Sequence, residues 1–220
     1  MWKTFRVTDG ERTLPVTIRN YTGEDFASLI ALQAECFPPP FPSELWWNEE
    51  QLNEHVTRFP EGALCAEIEG RIVGSMTGLR IHSEQVVKHD WASITDDGYI
   101  RNHQSDGETL YVVDICVAPA YRQFGLGKWL MQSMYETVVH LGCDRLLGGG
   151  RMPGYRAVSD RLSPEQYVAQ VVQGTLRDPV LTFLLRCGRM PVGIVADYLE
   201  DEQSANYAAL MEWRNPFKHI

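Results

Sequence analysis

No stretch of this 220-residue chain approaches the roughly 18 uninterrupted apolar residues of a membrane-spanning helix, so no span is expected. The N-terminus, MWKTFRVTDGER, lacks the apolar segment of a signal peptide, and the expected location is cytoplasmic. Cysteine is scarce. Cys36, Cys65, Cys116, Cys143 and Cys187 are scattered, odd in number and form no C-x-x-C, which points to buried free thiols rather than a disulfide framework or a zinc site. Positive charge is short as well: 20 Lys and Arg face 29 Asp and Glu, for a net charge of −9. A nucleic-acid partner needs clustered Lys and Arg, so none is expected. Neither G-x-G-x-x-G nor G-x-x-x-x-G-K-[ST] occurs, which removes the dinucleotide and P-loop phosphate cradles. His82, His89 and His103 share one polar segment, but their spacing matches no local metal-ligand motif, and no metal is expected.

What is present is ordinary soluble composition, 44% hydrophobic and 22% charged, enough for one sizeable core and read as a single domain over residues 1–220. The most informative stretch is Leu110 to Leu130, LYVVDICVAPAYRQFGLGKWL. Leu110–Val117 is rich in Val, Ile and Tyr and predicts a buried strand, which Pro119 stops. Leu126, Leu130, Met134, Val138 and Leu141 then recur at helical spacing, with Gly142 placed to end the helix. Gly125 and Gly127 fall where that helix begins, and each glycine inside a helix costs roughly 1 kcal/mol relative to alanine. They make sense if a ligand must approach the backbone more closely than a Cβ allows. The first amides of a helix lack internal partners and lie at the positive end of its dipole, so a diphosphate is the natural occupant. Arg122 and Lys128 flank the turn and add charge.

The run Val117-Ala118-Pro119-Ala120-Tyr121-Arg122-Gln123-Phe124-Gly125-Leu126-Gly127 resembles the acetyl-CoA signature of the GNAT superfamily of N-acetyltransferases. The resemblance implies that Arg122, Gln123, Phe124, Gly125, Leu126 and Gly127, with Lys128 beside them, hold the cofactor's diphosphate. It implies further that Ile115, Cys116 and Val117 line the pantetheine arm.

The rest of the chain predicts strands over Leu14–Tyr21, Gly62–Glu69 and Arg71–Ile81, the last two joined by a Glu69-Gly70 turn. Residues 1–15 read as a short extension. Thr22 with Asp25 predicts a helix start before Phe26, and Ser43 with Glu44 a second one after the prolines at 38–40. Residues 82–107 read as a long loop able to fold over the acceptor site. Asp144–Leu147 reads as a short strand leading into Gly148-Gly149-Gly150, glycines that allow close backbone approach or a flexible exit. Ser163-Pro164 and Asp178-Pro179 start two more helices, and Pro191–Ala196 and Tyr207–Trp213 close the chain as strands. The order matches a GNAT fold of the α/β (α+β) class. It comprises a mixed, mostly antiparallel twisted sheet of about seven strands, splayed in the middle, with helices on both faces and an insertion at 151–177. The C-terminal part is also similar to a bacterial group in which such a domain is fused to a carbon–nitrogen hydrolase.

The resemblance implies acetyl transfer from acetyl-CoA to a primary amine, on a small molecule or a protein, by direct attack in a ternary complex. The acidic net charge is compatible with a cationic amine. A non-catalytic CoA-binding regulatory module, or a partner of a separate nitrilase-like hydrolase, stays open, as does a homodimer. The Val117 amide is the implied oxyanion donor. Asp114 is the acidic residue nearest the reacting end and the candidate base, with Glu108 a weaker one. Strand alternation sets Asp114 and Cys116 opposite Tyr111, Ile115 and Val117, and only a bulge would reset that parity. The family's acid tyrosine falls on Leu184, beside Phe183, and neither donates a proton; Tyr111, Tyr155, Tyr198 or solvent remain as substitutes. Phe41, Trp46 and Trp47, with Tyr111, are candidates for lining the acceptor pocket; simple cover for the sheet is the alternative for the three before the second helix.

Overall fold

The computed structural model describes residues 1–39, 41–86 and 90–218. In chain order its strands are β1 (Trp2–Thr8), β2 (Thr13–Asn20), β3 (Ala63–Ile68), β4 (Arg71–Ile81), β5 (Thr109–Val117), β6 (Arg145–Arg151), β7 (Met190–Val195) and β8 (Ala208–Arg214). They form one open sheet in the order β1-β2-β3-β4-β5-β6-β8-β7. Every neighbouring pair is antiparallel except β5 and β6, which run parallel. The helices are α1 (Phe26–Cys36), α2 (Glu49–Arg58), α3 (Trp91–Thr95), α4 (Leu126–His140), α5 (Pro164–Gln173) and α6 (Pro179–Arg186). Leu126, Leu130, Met134 and Val138 of α4 are fully buried, as their four-residue spacing requires of a stripe facing a sheet.

The central prediction and the sheet type hold, with four corrections. There are eight strands rather than about seven, because the supposed N-terminal extension is β1, paired along its length with β2. Lys3, Phe5 and Val7 alternate inward along it while Trp2, Thr4, Arg6 and Thr8 are exposed. Ser43 does not start α2: residues 43–45 make a single tight turn, and Asn48 caps the helix, its side chain accepting from the Gln51 amide. The loop 82–107 is not structureless, since Asp90 caps the short α3 within it. Gly148–Gly150 lie inside β6 and do not end it. Pro40 of the proline run and His89 lie outside the described residues. Among the described residues no helix is long and apolar enough to cross a membrane.

Two irregularities of β5 create the site. Its parallel ladder with β6 stops at Tyr111 opposite Leu147, so the strands part beyond that point. On its other edge, Asp114 lies opposite Thr77 but Val112 lies opposite Gly78, leaving Val113 as an extra residue. Paired residues of an antiparallel ladder share a face, so this bulge turns Asp114 and Cys116 onto the face of Tyr111 and puts Ile115 and Val117 on the other. The alternation expected without a bulge is overturned. A one-residue shift inverts every side chain after it, and no local sequence signal marks Val113 as the insertion.

Candidate active site

A cavity of about 650 Å³ opens where β5 and β6 part. It runs from the turn before α4 to Trp47 and Trp91, passing Asp114, Ile115, Cys116 and Val117. At the turn, Gly125 has φ +69, a left-handed conformation that glycine adopts at little cost, and open space lies where its Cβ would be. The Leu126 and Gly127 amides have no acceptor among the described residues. Gly127 has a second reason to lack a side chain: a Cβ there would come within 3.0 Å of the Phe183 ring. That ring covers the Cα without supplying an acceptor for the amides. Arg122 and Lys128 line the cavity, Arg122 with its Nε donating to the Val117 carbonyl at 3.1 Å. Gln123 is exposed and Phe124 and Leu126 are buried, and all three lie outside the cavity wall. The residues present fit an anionic ligand: free amides, two cations and room for a backbone approach.

Along β5, the Ala118 amide donates to the Val73 carbonyl of β4, so alternation turns the Val117 amide toward the gap beside β6. The Val113 carbonyl, freed by the splay, accepts from Trp91 Nε1 at 3.0 Å. This contact ties α3 over the cavity.

Asp114 faces the cavity and is otherwise enclosed by protein. Burial raises its pKa from 3.8 to about 6, opposed by hydrogen bonds from Gln33 Nε2, at 2.8 Å, and from the Ile115 amide, and by the charge of Arg151. A carboxylate held near neutrality in a cavity suits proton transfer. Glu108 is different: held by Ser83 and His82 outside the cavity, its pKa is lowered to about 2. Cys116 and Cys36 face each other, and the contact with Cys36 together with burial pushes the Cys116 pKa well up, which keeps the Cys116 thiol protonated.

Tyr198 is the tyrosine that lines the cavity. Its ring lies on Gly149 so closely that a Cβ there would be 2.2 Å from Cζ, and its hydroxyl is 3.0 Å from that of Tyr111. The glycines of β6 therefore admit the protein's own side chains: Tyr198 at Gly149, Leu184 and Leu181 at Gly150, Val112 and Arg189 at Gly148. Burial raises the Tyr198 pKa to about 12, held down by Tyr111, the Gly149 amide and Arg189. Arg189 is fully buried at the closed end of the splay, donating to the Met211 and Gly148 carbonyls. Tyr111 is buried beneath Tyr198 and does not reach the cavity, and Tyr155 donates to the Leu162 carbonyl away from it.

On the acceptor side, Phe41 and Trp47 line the cavity, whereas Trp46 turns away and donates to the Phe37 carbonyl at 3.0 Å. A second cavity of about 630 Å³ adjoins the first, sharing Cys36, Phe37, Phe41 and Arg151 with it. Sequence reasoning missed Gln33, Trp91, Arg151 and Arg189. The available signals were slight: Asp90 capping before Trp91, and arginines directly after Gly150 and Gly188. Among the described residues no group of three or more His, Cys, Asp or Glu could hold a metal ion. His82 pairs with Glu108, and His103 stacks on Phe59.

An open mixed sheet parted between two parallel strands, with free helix amides at the mouth of the gap, is the architecture of the GNAT fold. A model of the acetyltransferase (GNAT) family matches residues 26–158, more than half of the chain, and the chain belongs to that family. It is 56% identical, over 98% of its length and 96% of the relative's, to the uncharacterized N-acetyltransferase YkwB of Bacillus subtilis. It is 39% identical to the probable hydrolase YhcX of the same organism, with 91% of this chain aligned but only 39% of that protein. Among solved structures, the GNAT-like decarboxylase GphF in complex with isobutyryl-CoA superposes with a TM-score of 0.71 at 27% identity, covering 90% of this chain and 98% of that one.

Proposed function

We propose that this acetyltransferase moves the acetyl group of acetyl-CoA to a primary amine, by direct attack with both substrates bound. The observation that carries the reading is the Val113 bulge, which turns a near-neutral carboxylic acid into the same cavity that ends at the free Leu126 and Gly127 amides. Those amides, Arg122 and Lys128 would hold the diphosphate, and Ile115–Val117 would line the pantetheine. Acetyl-CoA supplies an activated thioester. An alkylamine is mostly protonated at neutral pH, and Asp114, ionised above about 6, takes its proton. The Val117 amide donates to the oxyanion, a role worth about 3–4 kcal/mol in comparable sites. Tyr198 takes the place of the tyrosine missing from α6: it donates its proton to the departing sulfur while Tyr111 donates to Tyr198.

Calorimetric titration with acetyl-CoA, followed by thiol release across a panel of amines, tests the reading. Saturable binding and amine-dependent thiol release are expected. Absence of binding at millimolar cofactor would refute it. A second reading, association with a nitrilase-like hydrolase, is favoured by the likeness to YhcX. Co-purification with such a hydrolase would support it, and a clean monomer or homodimer would count against it.

A further inference from the structure

Resting on the acetyltransfer reading, we propose that Arg151 binds a carboxylate on the substrate, so that the acceptor is an amine carrying a carboxylate, an α-amino acid being the simplest case. Arg151 ends β6 two residues beyond Gly149, on the face that carries Tyr198. It belongs to the walls of both cavities and so stands at their junction. Its guanidinium is held rigidly. Nε donates to Asp201 Oδ2 at 2.8 Å, and the group lies over the Phe41 ring with its central carbon 5.1 Å from the centroid. Asp201 is itself fixed by Ser204.

These contacts use one edge and one face of the plane. Nη1 and Nη2 have no acceptor among the described residues, and the side chain is 22% exposed. An ion pair through Nε alone would serve to anchor the Asp201 turn. The unused pair of donors is the geometry that takes a carboxylate in two parallel hydrogen bonds. No described residue accepts from it: Asp201 is engaged with Nε through Oδ2, and Glu200 and Glu202, which also line the outer cavity, are exposed. Arg156 adds a second cation there. Arg151 and Asp114 line the same inner cavity, so an amine whose carboxylate is held by Arg151 enters the cavity that holds the base. The same chemistry could arrive from the other direction, on the acyl chain of a carboxylated thioester. The outer cavity, which Arg151 faces and Asp114 does not, favours the acceptor.

The experiment has two arms on the full chain. In the first, thiol release from acetyl-CoA is measured with leucine against isoamylamine and phenylalanine against phenethylamine, in the wild type and in Arg151→Met. The amino acids are expected to lead by at least tenfold in kcat/KM, and the variant to erase that lead. If the plain amines are turned over as well as the amino acids, the carboxylate site is overturned while acetyl transfer stands. In the second arm, wild-type affinity for malonyl-CoA is compared with that for acetyl-CoA. If no amine of either kind releases thiol although acetyl-CoA binds, the acetyltransfer reading falls, and this arm decides for Arg151 alone. Malonyl-CoA binding at least tenfold tighter, with the difference lost in Arg151→Lys and Arg151→Met, keeps the site with an acyl-borne carboxylate. Equal affinity overturns it. Both wild-type comparisons stand even if the variants fail to fold.

Discussion

Replacing Asp114 with asparagine should make this protein more stable at alkaline pH while disabling it. The folded chain holds the Asp114 pKa at about 6 against 3.8 for the free group, chiefly by burial. A difference of that size corresponds to about 3 kcal/mol between the protonated and ionised forms. Between those two pH values the native state binds more protons than the unfolded state, so stability falls as pH rises through the window. Below 3.8 the carboxyl is neutral in both states and costs nothing; above about 6 the full penalty of a desolvated carboxylate is present. The substituted asparagine would carry no charge at any pH. Its oxygen can still accept from Gln33, but its amide nitrogen faces the Ile115 amide, which forfeits about 1 kcal/mol. Water in the cavity trims the electrostatic part further, leaving a net gain of about 1–2 kcal/mol at pH 8, or roughly 2–8 °C in Tm. Urea unfolding of Asp114→Asn and the wild type at pH values from 4 to 8, without cofactor, measures it. The two should differ little or favour the wild type at pH 4, and the variant should gain steadily to pH 7. Parallel curves would show that the carboxylate is not desolvated, and the assignment of Asp114 as a poised base would lose its physical ground.

In the wild type kcat/KM should fall about tenfold per pH step below about 6, and Asp114→Asn should lose this limb together with roughly a hundredfold in rate; an unchanged profile would exclude Asp114 as the base. Tyr198→Phe should lower kcat by about a hundredfold and remove the hydrogen bond between the Tyr111 and Tyr198 hydroxyls, a loss of about 1 kcal/mol seen by thermal unfolding; wild-type kcat would return the acid role to solvent. Gly149→Ala should cost about 1–3 kcal/mol and displace Tyr198, because the new methyl would be 2.2 Å from its ring; normal activity would separate catalysis from that ring. Gly125→Ala should lower stability by roughly 1–2 kcal/mol through its left-handed backbone alone, and Gly125→Trp should in addition abolish acetyl-CoA binding; near-normal affinity would remove the diphosphate from this turn.

The phosphate-loop candidate was legible because its signals are local. A strand rich in β-branched residues, a proline stop, a glycine at φ +69 and a buried four-residue stripe all lie within one stretch, and the strand and helix ends fall within a residue of expectation. The starts at Ser163 and Asp178 were legible for the same reason, each being a cap followed by proline. The start at Ser43 failed because capping chemistry was present at two nearby places and only packing selects Asn48. The GGG run was ambiguous for a deeper reason. Glycine reports that something comes close, but not what, and here the visitor at Gly149 is Tyr198, nearly fifty residues away in the chain.

The order of residues alone was enough for the family, the succession of the principal elements and the glycine turn that opens α4, since each depends on residues within a few positions of one another. Which side chains meet at the parted strands was settled in three dimensions. The facing of Asp114 hangs on one extra residue in the ladder between β4 and β5, and the choice of Tyr198 over Tyr155 hangs on which phenol reaches the gap beside β6. Register and long-range packing are settled by the whole sheet at once, and a single chain read in order contains no local term that fixes either.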